Sequence, residues 1–420
     1  MKTLWSLAAQ SLWSRRLTSG LTVLSIALSV TLLLGIESVR TGARDSFSNT
    51  ISGVDLIAGA RGGSLQLLLY TVFRLGSATN NISYETYEHW SKHPAVAWTI
   101  PYSLGDSHRG FRVVGTNEGF YKHFRYRRDR GIEFAEGRAP TGMFETALGA
   151  EVARSLGYST GQKIAITHGL AGDLLQHDDK PFTVTGILAR TATPVDRSLY
   201  VTLEGISAVH VDWESGAPPM PGDEVPAEKL EREGVKVEQI TAFLVSAKRR
   251  IDALRLQRDI NTYANEPMMA VIPGVALAEM WRTIGYGETA LAVTAVFVLI
   301  AGLLGMIVAL YTSLEERRRE MAVLRAIGAR PSSIILLLVA ESTLLTVSGV
   351  AAGLGLTYAA LFVAQAPVEQ AVGLTLTIGA PSQLAWIYVA AILAAGILVA
   401  LLPAWKAYRN TLADGLSARL

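Results

Sequence analysis

Cysteine is absent from this chain, and charged side chains are scarce. None of the 420 residues is cysteine, and Asp, Glu, Lys and Arg together make up 18% of them. The absence of cysteine excludes disulfides and thiolate metal sites, and it fits either side of a membrane. Soluble domains carry about 25% charged residues, so the deficit indicates another class of protein. The net charge of +2 is too balanced to indicate a nucleic acid partner.

The sequence also lacks the short motifs of common soluble enzymes. It has no G-x-x-x-x-G-K-[ST] phosphate loop, no H-E-x-x-H metal motif and no G-x-S-x-G nucleophile elbow. We therefore expect a non-catalytic chain that binds no cofactor of its own. Carboxylate chemistry leaves no short motif, so the motif search does not address it.

The charge deficit is concentrated in four long apolar stretches. A helix needs ~20 apolar residues to cross ~30 Å of hydrocarbon, and each stretch meets this length. We therefore predict a membrane α-helical protein with four transmembrane helices, and a mixed α+β extracytoplasmic domain inserted between helices 1 and 2. The predicted helices cover residues 17–39, 289–314, 334–366 and 383–405.

The residues before the first predicted helix have a helical pattern of their own. Apolar residues, Trp5 and Trp13 among them, recur at helical spacing, and Lys2, Gln10 and Ser14 share the opposite face. This pattern predicts an interfacial elbow helix over residues 1–16, with its tryptophans at headgroup depth. The alternative is a disordered leader. The apolar run that follows is longer than the 7–15 residues of a signal peptide, so we interpret it as a retained span.

Positive charge near the ends of the spans predicts the orientation. Lys and Arg are found in the N-terminal segment, in residues 315–330 and in the tail 406–420, whereas residues 368–379 have none. Positively charged loops stay in the cytoplasm. We therefore expect both termini and residues 315–330 in the cytoplasm, and residues 40–286 on the far side of the membrane.

The predicted outside domain, residues 40–286, has an ordinary mixture of charged, aromatic and turn-forming residues. It is longer than the usual domain of about 100–150 residues, so we expect two subdomains. Strand-like runs bounded by Gly and Pro predict a β-rich subdomain over about 145–213, and both flanks would form an α/β subdomain. The proline-rich stretch "SGAPPMPGDEVP" indicates a loop or linker.

One loop of this domain, "THGLAGDLLQHDDKP", is rich in imidazole and carboxylate side chains, the combination that suits zinc. The spacing of its histidines matches no compact metal template. We therefore interpret it as a polar loop, with a metal site as the open alternative. The residues concerned are His168, Asp173, His177, Asp178 and Asp179, with His210 and Asp212 as further candidates.

The third predicted span contains a carboxylate, Glu341, and two glycines four residues apart, Gly349 and Gly353. An ionisable residue inside a span is a candidate for function. We favour a structural role for Glu341, at the interface or paired with an arginine of the preceding helix, over ion transport. The glycines lie on one face and predict a site where another helix packs closely.

Between the second and third predicted spans lies "EERRREMAVLRAIGARPSSI". Val323, Leu324 and Ile327 fall within about 100° of one helix face, and Arg318 and Arg325 lie on the other side. Gly328 and the proline that follows it end the helix. A topology anchor needs only scattered arginines, so this apolar stripe predicts a protein partner.

This segment resembles the coupling helix of the MacB/FtsX/LolCE superfamily of ABC transporter permeases, which seats in a groove of the ATPase. The N-terminal "LWSRRLTSGLTVLSIALSVTLLLGI" is similar to the family's elbow and first span, and "PAWKAYRNTLADGLSARL" resembles its tail. "ALGAEVARSLGYSTGQKIAI" and "FTVTGILARTATPVDRSLYV" resemble its extracytoplasmic MacB-like domain. The resemblance implies that the residues in contact with the ATPase are Arg318, Glu320, Val323, Leu324, Arg325, Ile327 and Gly328.

The resemblance also implies a bacterial inner-membrane protein with its large domain in the periplasm. Two ATPase subunits would bind ATP and Mg below a permease pair, a homodimer in the simplest case, and an adaptor could join outside. ATP-driven motion would then reach the outside domain by mechanotransmission, for export or release of a substrate. Two alternatives remain open at this point: a regulatory scaffold for an extracytoplasmic hydrolase or lipoprotein-handling partner, and zinc-linked transport.

Overall fold

The computed structural model describes residues 2–167, 179–213, 225–316, 331–372 and 378–413. They form two compact units. The first comprises the described residues of Met1–Gly42, Ile284–Ala366 and Leu376–Leu420. The second comprises those of Ala43–Thr283 and Pro367–Thr375.

The described residues form helices and strands in the following order along the chain. The helices are α1 Lys2–Ser14, α2 Arg16–Thr50, α3 Ser64–Val72, α4 Tyr84–Ser91, α5 Glu118–His123, α6 Ala150–Leu156, α7 Leu203–Ala208, α8 Ala227–Glu233, α9 Arg250–Asn261, α10 Pro273–Glu316, α11 Pro331–Val372 and α12 Gln383–Ala413. The strands are β1 Leu56–Ala60, β2 Ile82–Ser83, β3 Val96–His108, β4 Phe111–Thr116, β5 Arg125–Tyr126, β6 Arg130–Gly131, β7 Phe134–Gly137, β8 Glu145–Leu148, β9 Lys163–Ile164, β10 Phe182–Leu188, β11 Ser198–Thr202, β12 Gln239–Ile240, β13 Ala242–Ala247 and β14 Met268–Val271.

Four helices of the described chain are long and apolar enough to cross a membrane, which agrees with the four spans expected from the sequence. They are α2, α10, α11 and α12, over Arg16–Phe47, Pro273–Thr312, Ile335–Val368 and Gln383–Trp405. The helix α2 continues to Thr50, past the predicted end of the span at residue 39. Extending an existing helix by a residue is far easier than starting one, so the polar residues after the apolar run remain helical.

The second unit is built on one mixed sheet with the strand order β14-β1-β13-β3-β4-β11-β8-β10-β7, and β9 pairs with β10. Neighbours are antiparallel except β11 with β4 and β10 with β8. The long strand β3 joins the two halves, because its first part pairs with β13 and its second part with β4. The strands from residues 145–213 thus share one sheet with β4 and β7, which precede them in the chain.

The two faces of this sheet are covered differently. Side chains alternate between faces along a strand, and in β13 Leu244 joins one core cluster while Phe243 and Val245 join another. In β11, Tyr200 joins the same cluster as Leu244, while Leu199 and Val201 belong to a third core cluster. One face therefore carries a core common to both halves. The other face carries two cores, one with α4 and α9 and one with α6 and α8, and α7 contributes residues to both.

Candidate functional site

The glycines of α11 lie directly against α2. A Cβ added at Gly349 would lie 2.7 Å from Ile26 Cβ, and one at Gly353 would lie 2.6 Å from Val30 Cβ and 2.8 Å from the carbonyl oxygen of Ala27. Real Cβ atoms essentially never make such short contacts. Glycine therefore permits an approach between α11 and α2 that no other residue allows at these two positions.

Glycines also permit close helix packing at other positions of the first compact unit. A Cβ at Gly302 of α10 would lie 2.6 Å from Ser25 Oγ of α2, and one at Gly396 of α12 would clash with the side chain of Thr346 in α11. Gly355, by contrast, has nothing within 4 Å of an added Cβ. Close packing is thus confined to particular glycines rather than spread over every glycine in the spans.

Glu341 of α11 is buried, with 1% of its surface exposed, and it faces Arg15. The distance from Arg15 Nη2 to Glu341 Oε2 is 4.0 Å. Arg15 also donates from Nη2 to Ser11 Oγ at 2.8 Å and from Nη1 to the carbonyl oxygen of Ala309 in α10 at 3.3 Å. This arginine lies between α1 and α2, and the arginines of residues 317–330, which the sequence suggested as partners, lie outside the described residues. Glu341 therefore takes part in a contact that ties the elbow, α10 and α11 together.

A second buried carboxylate, Glu37 of α2, was not singled out from the sequence. It is 6% exposed and accepts from Arg40 Nη2 at 2.6 Å, and Ser382 Oγ donates to its other oxygen at 3.3 Å. Glu37 and Arg40 border a cavity of about 180 Å³ that is also lined by residues of α10 and α12. An acid directly after the apolar run, with Arg three residues on, was the signal available in the sequence.

The predicted ATPase contacts lie outside the described residues. This applies to all seven: Arg318, Glu320, Val323, Leu324, Arg325, Ile327 and Gly328. Their roles remain predictions from the sequence.

In the second unit, two carboxylates from the candidate metal set contact a lysine. Lys180 is fully buried and donates to Asp179 Oδ2 at 2.6 Å and to Asp212 Oδ2 at 2.7 Å. Burial raises the pKa of Asp212, but the Lys180 ammonium and the Val225 N–H outweigh it and hold the pKa below its ordinary value. His168, Asp173, His177 and Asp178 lie outside the described residues, and the part that is described contains no cluster of three metal-ligating side chains.

His210, the other candidate from that set, contacts a buried aspartate. Its Nε2 lies 3.4 Å from Asp106 Oδ1, and its Nδ1 lies 2.8 Å from the carbonyl oxygen of Ile206. Burial lowers the pKa of His210, but the Asp106 carboxylate and the Ile206 carbonyl outweigh it and raise the pKa above its ordinary value. Both ring nitrogens face acceptors, which suits the protonated imidazolium. The pair lines a cavity of about 860 Å³ bordered by α7 and α8.

Comparison with known proteins places this architecture in a family. Residues 19–263 match the family model described as MacB-like periplasmic core domain, and residues 292–412 match that described as FtsX-like permease C-terminal. No curated protein matches the chain. Among solved structures, the chain is similar to the extracellular domain of the noncanonic ABC-type transporter YknZ from Gram-positive bacteria. The identity is 12%, the match covers 52% of this chain and 98% of that one, and the TM-score is 0.29.

Four membrane helices and a mixed α/β domain of extracellular type define a membrane protein of the permease class. The chain belongs to the FtsX-like ABC transporter permeases that carry a MacB-like periplasmic core domain. Members of this family are membrane subunits, generally without catalytic activity, and the family implies an ATPase as partner.

Proposed function

We propose that this chain is the permease subunit through which a partner ATPase moves the extracytoplasmic domain, for export or release of a substrate. The observation that carries the proposal is the presence of both family matches on one chain, the permease part over residues 292–412 and the core domain over residues 19–263. ATP and Mg belong to the partner ATPase in this account, and the chain itself contributes no catalytic group.

Two helices are suited to transmit such a movement. The uninterrupted helices α2 and α10 each contain a candidate membrane span, and each contains residues of both compact units. Because the backbone is continuous, a change in the position of a span can shift the equilibrium between positions of the outside domain. This coupling needs no ion pathway. The close glycine contacts of α11 with α2 would carry a displacement of one span to the next.

The assembly that follows is a pair of permease copies, a homodimer in the simplest case, with two ATPase subunits bound on the cytoplasmic side. Residues 315–330 form the coupling helix in this proposal. Val323, Leu324 and Ile327 supply its apolar contact, and Arg318 and Arg325 meet carboxylates at the rim of the ATPase groove. The chain then lies in the bacterial inner membrane, with both termini in the cytoplasm and the large domain in the periplasm.

The coupling helix is tested by substituting its two faces separately. Burying an aliphatic side chain contributes about 1.5–3 kcal/mol, whereas an exposed ion pair contributes about 0–1 kcal/mol. We therefore expect Leu324→Asp to abolish co-purification of the ATPase, or the response of its activity to the permease, while the permease still inserts. Arg318→Ala should have a much smaller effect. If both substitutions reduce ATPase co-purification equally, or if Leu324→Asp does not reduce it, this segment is only a topology anchor.

A further inference from the structure

The second unit contains a small cavity that the permease function does not use. It has a volume of about 270 Å³ and lies between residues 74–81, which follow α3, and the hairpin of β3 and β4. Two arginines, Arg74 and Arg112, line it together with the polar residues Ser77, Thr79, Asn80 and Asn81. Of the residues that the structure describes, no aspartate or glutamate lines it. The cavity is therefore basic and rich in neutral donors.

Arg74 is fixed in place by its surroundings. Its backbone φ is +61°, a left-handed conformation that side-chain-bearing residues seldom adopt. Its guanidinium carbon lies 4.6 Å from the centre of the Tyr102 ring, and Nη1 donates to the carbonyl oxygen of Thr71. Its buried Nε has no hydrogen-bond partner among the described residues. Strained backbone positions cluster at ligand-binding sites, and the strained Arg74 lines this cavity.

Arg112 brings a second positive charge to the same cavity. It is half-buried at the start of β4, and Nη2 donates to the carbonyl oxygen of Gly76. Burial and the positive charge of Arg74 both lower the pKa of Arg112. Within the described ranges, neither Arg74 nor Arg112 forms a salt bridge. Two partly buried like charges without a counter-charge are costly, and a bound anion would relieve that cost.

We propose that this cavity binds a phosphate monoester, with the guanidinium groups of Arg74 and Arg112 on the phosphate oxygens. The charge of such a group, about −1.5 to −2 at neutral pH, matches two neighbouring guanidiniums, whereas a monocarboxylate would balance only one. The planar fork of arginine fits phosphate oxygens with paired hydrogen bonds. Ser77, Thr79 and Asn80 supply further hydrogen-bond donors. The site is independent of the proposed coupling to an ATPase.

The phosphate could belong to a soluble ester or to a lipid headgroup, and the test separates the two sources. The full chain in phosphatidylcholine nanodiscs is titrated with glycerol 3-phosphate, with glycerate and with glycerol, and binding is measured by calorimetry. We expect glycerol 3-phosphate to bind, with glycerate at least about tenfold weaker and glycerol not binding. Each of Arg74→Gln and Arg112→Gln should weaken glycerol 3-phosphate by about tenfold or more. The matched control is Arg255→Gln, on the exposed face of α9, which removes the same charge and should leave binding unchanged.

The second arm repeats the titration in nanodiscs that contain phosphatidate. Weaker apparent binding of glycerol 3-phosphate to the wild-type chain in these nanodiscs than in phosphatidylcholine alone would support a lipid phosphate as the ligand. Unchanged binding of glycerol 3-phosphate would support a soluble ester.

Three results would overturn the proposal. They are no binding of glycerol 3-phosphate to the wild-type chain, binding that survives both arginine substitutions, and glycerate binding as tightly as the phosphate. If Arg74→Gln fails to fold because position 74 has a strained backbone, the binding measured for Arg112→Gln decides whether the proposal holds, since Arg112 lies in the regular strand β4.

Discussion

Gly353 of α11 lies so close to Val30 of α2 that an added Cβ would be 2.6 Å from the valine Cβ. Val30 is fully buried, and the carbonyl oxygen of Ala27 would be only 2.8 Å away, so neither neighbour offers a flexible atom that could move aside. The spacing of α11 and α2 at this point therefore depends on the absence of a side chain at Gly353.

This contact predicts opposite effects from the same substitution at two glycines of one helix. Gly355→Ala, with nothing within 4 Å of the new methyl group, should leave stability unchanged or raise it by up to about 1 kcal/mol, because alanine favours helix. Gly353→Ala should instead destabilise the solubilised chain by about 1–3 kcal/mol, as overpacking does. Thermal unfolding in detergent measures both. If the two variants unfold alike, α11 and α2 are not packed through Gly353.

Removing the Lys180 ammonium should destabilise the extracytoplasmic domain strongly. Lys180 is fully buried, and Lys180→Met would leave Asp212, whose side chain is 4% exposed, without its cation. Breaking a buried ion pair on one side costs about 3–5 kcal/mol. Lys163→Met, at an exposed position of β9, is the matched control and should have little effect. A small loss of stability from Lys180→Met, equal to that of the control, would argue against the buried pair.

His210 should make the stability of the domain depend on pH. Its pKa is raised in the folded state by Asp106 and the Ile206 carbonyl, against burial and the nearby Lys180 charge. The stabilisation is therefore fully present below the unfolded pKa of about 6.5 and is lost as pH rises through the higher folded value. Melting temperatures of the wild-type chain and of His210→Gln, measured between about pH 6 and pH 9, test this. The difference between them should shrink with rising pH, and a growing difference would show the opposite linkage.

The charge pattern of the sequence predicts the topology. A reporter inserted in "SGAPPMPGD" should be active only outside the cytoplasm, and one fused after Arg419 only inside it, because the Lys- and Arg-rich segments remain cytoplasmic. Reporter activity on the opposite side at either position would contradict the four-span arrangement.

The sequence predicted the membrane helices well because their signal is local. An apolar run of sufficient length needs no knowledge of its neighbours, and all four predicted runs lie in long helices of the structure. The partner of Glu341 could not be read in the same way. The sequence offered the interface or an arginine of the preceding helix; the structure adds Arg15 from the N-terminal segment, while residues 317–330 lie outside the described residues. Which charge reaches a buried carboxylate depends on helix packing, which no local pattern specifies.

The extracytoplasmic domain shows the same limit. Individual strands such as β10 and β11 follow from β-branched runs, but the order of strands in the sheet depends on pairings between distant segments. The sequence left Asp179 and Asp212 as candidate metal ligands, the alternative to a polar loop, because carboxylates near histidines suit zinc. Asp179 adjoins Lys180 in the sequence, but the contact of Asp212 with the same lysine appears only when the strands are assembled. Likewise, Arg74 and Arg112 are far apart in the chain and meet only at the cavity.

In the proposed function, ATP on the partner drives motion of the extracytoplasmic domain through this chain. Because the chain contains no cysteine, Leu254→Cys at an exposed position of α9 provides a single labelling site for a spin label. The distance between labels on the two permease copies is measured by electron paramagnetic resonance, in complex with the ATPase, with ATP and with ADP. The proposed function predicts that the distance distribution changes between the two nucleotides and that Leu324→Asp abolishes the change. Identical distributions with ATP and ADP, while the ATPase remains bound and hydrolyses ATP, would contradict it.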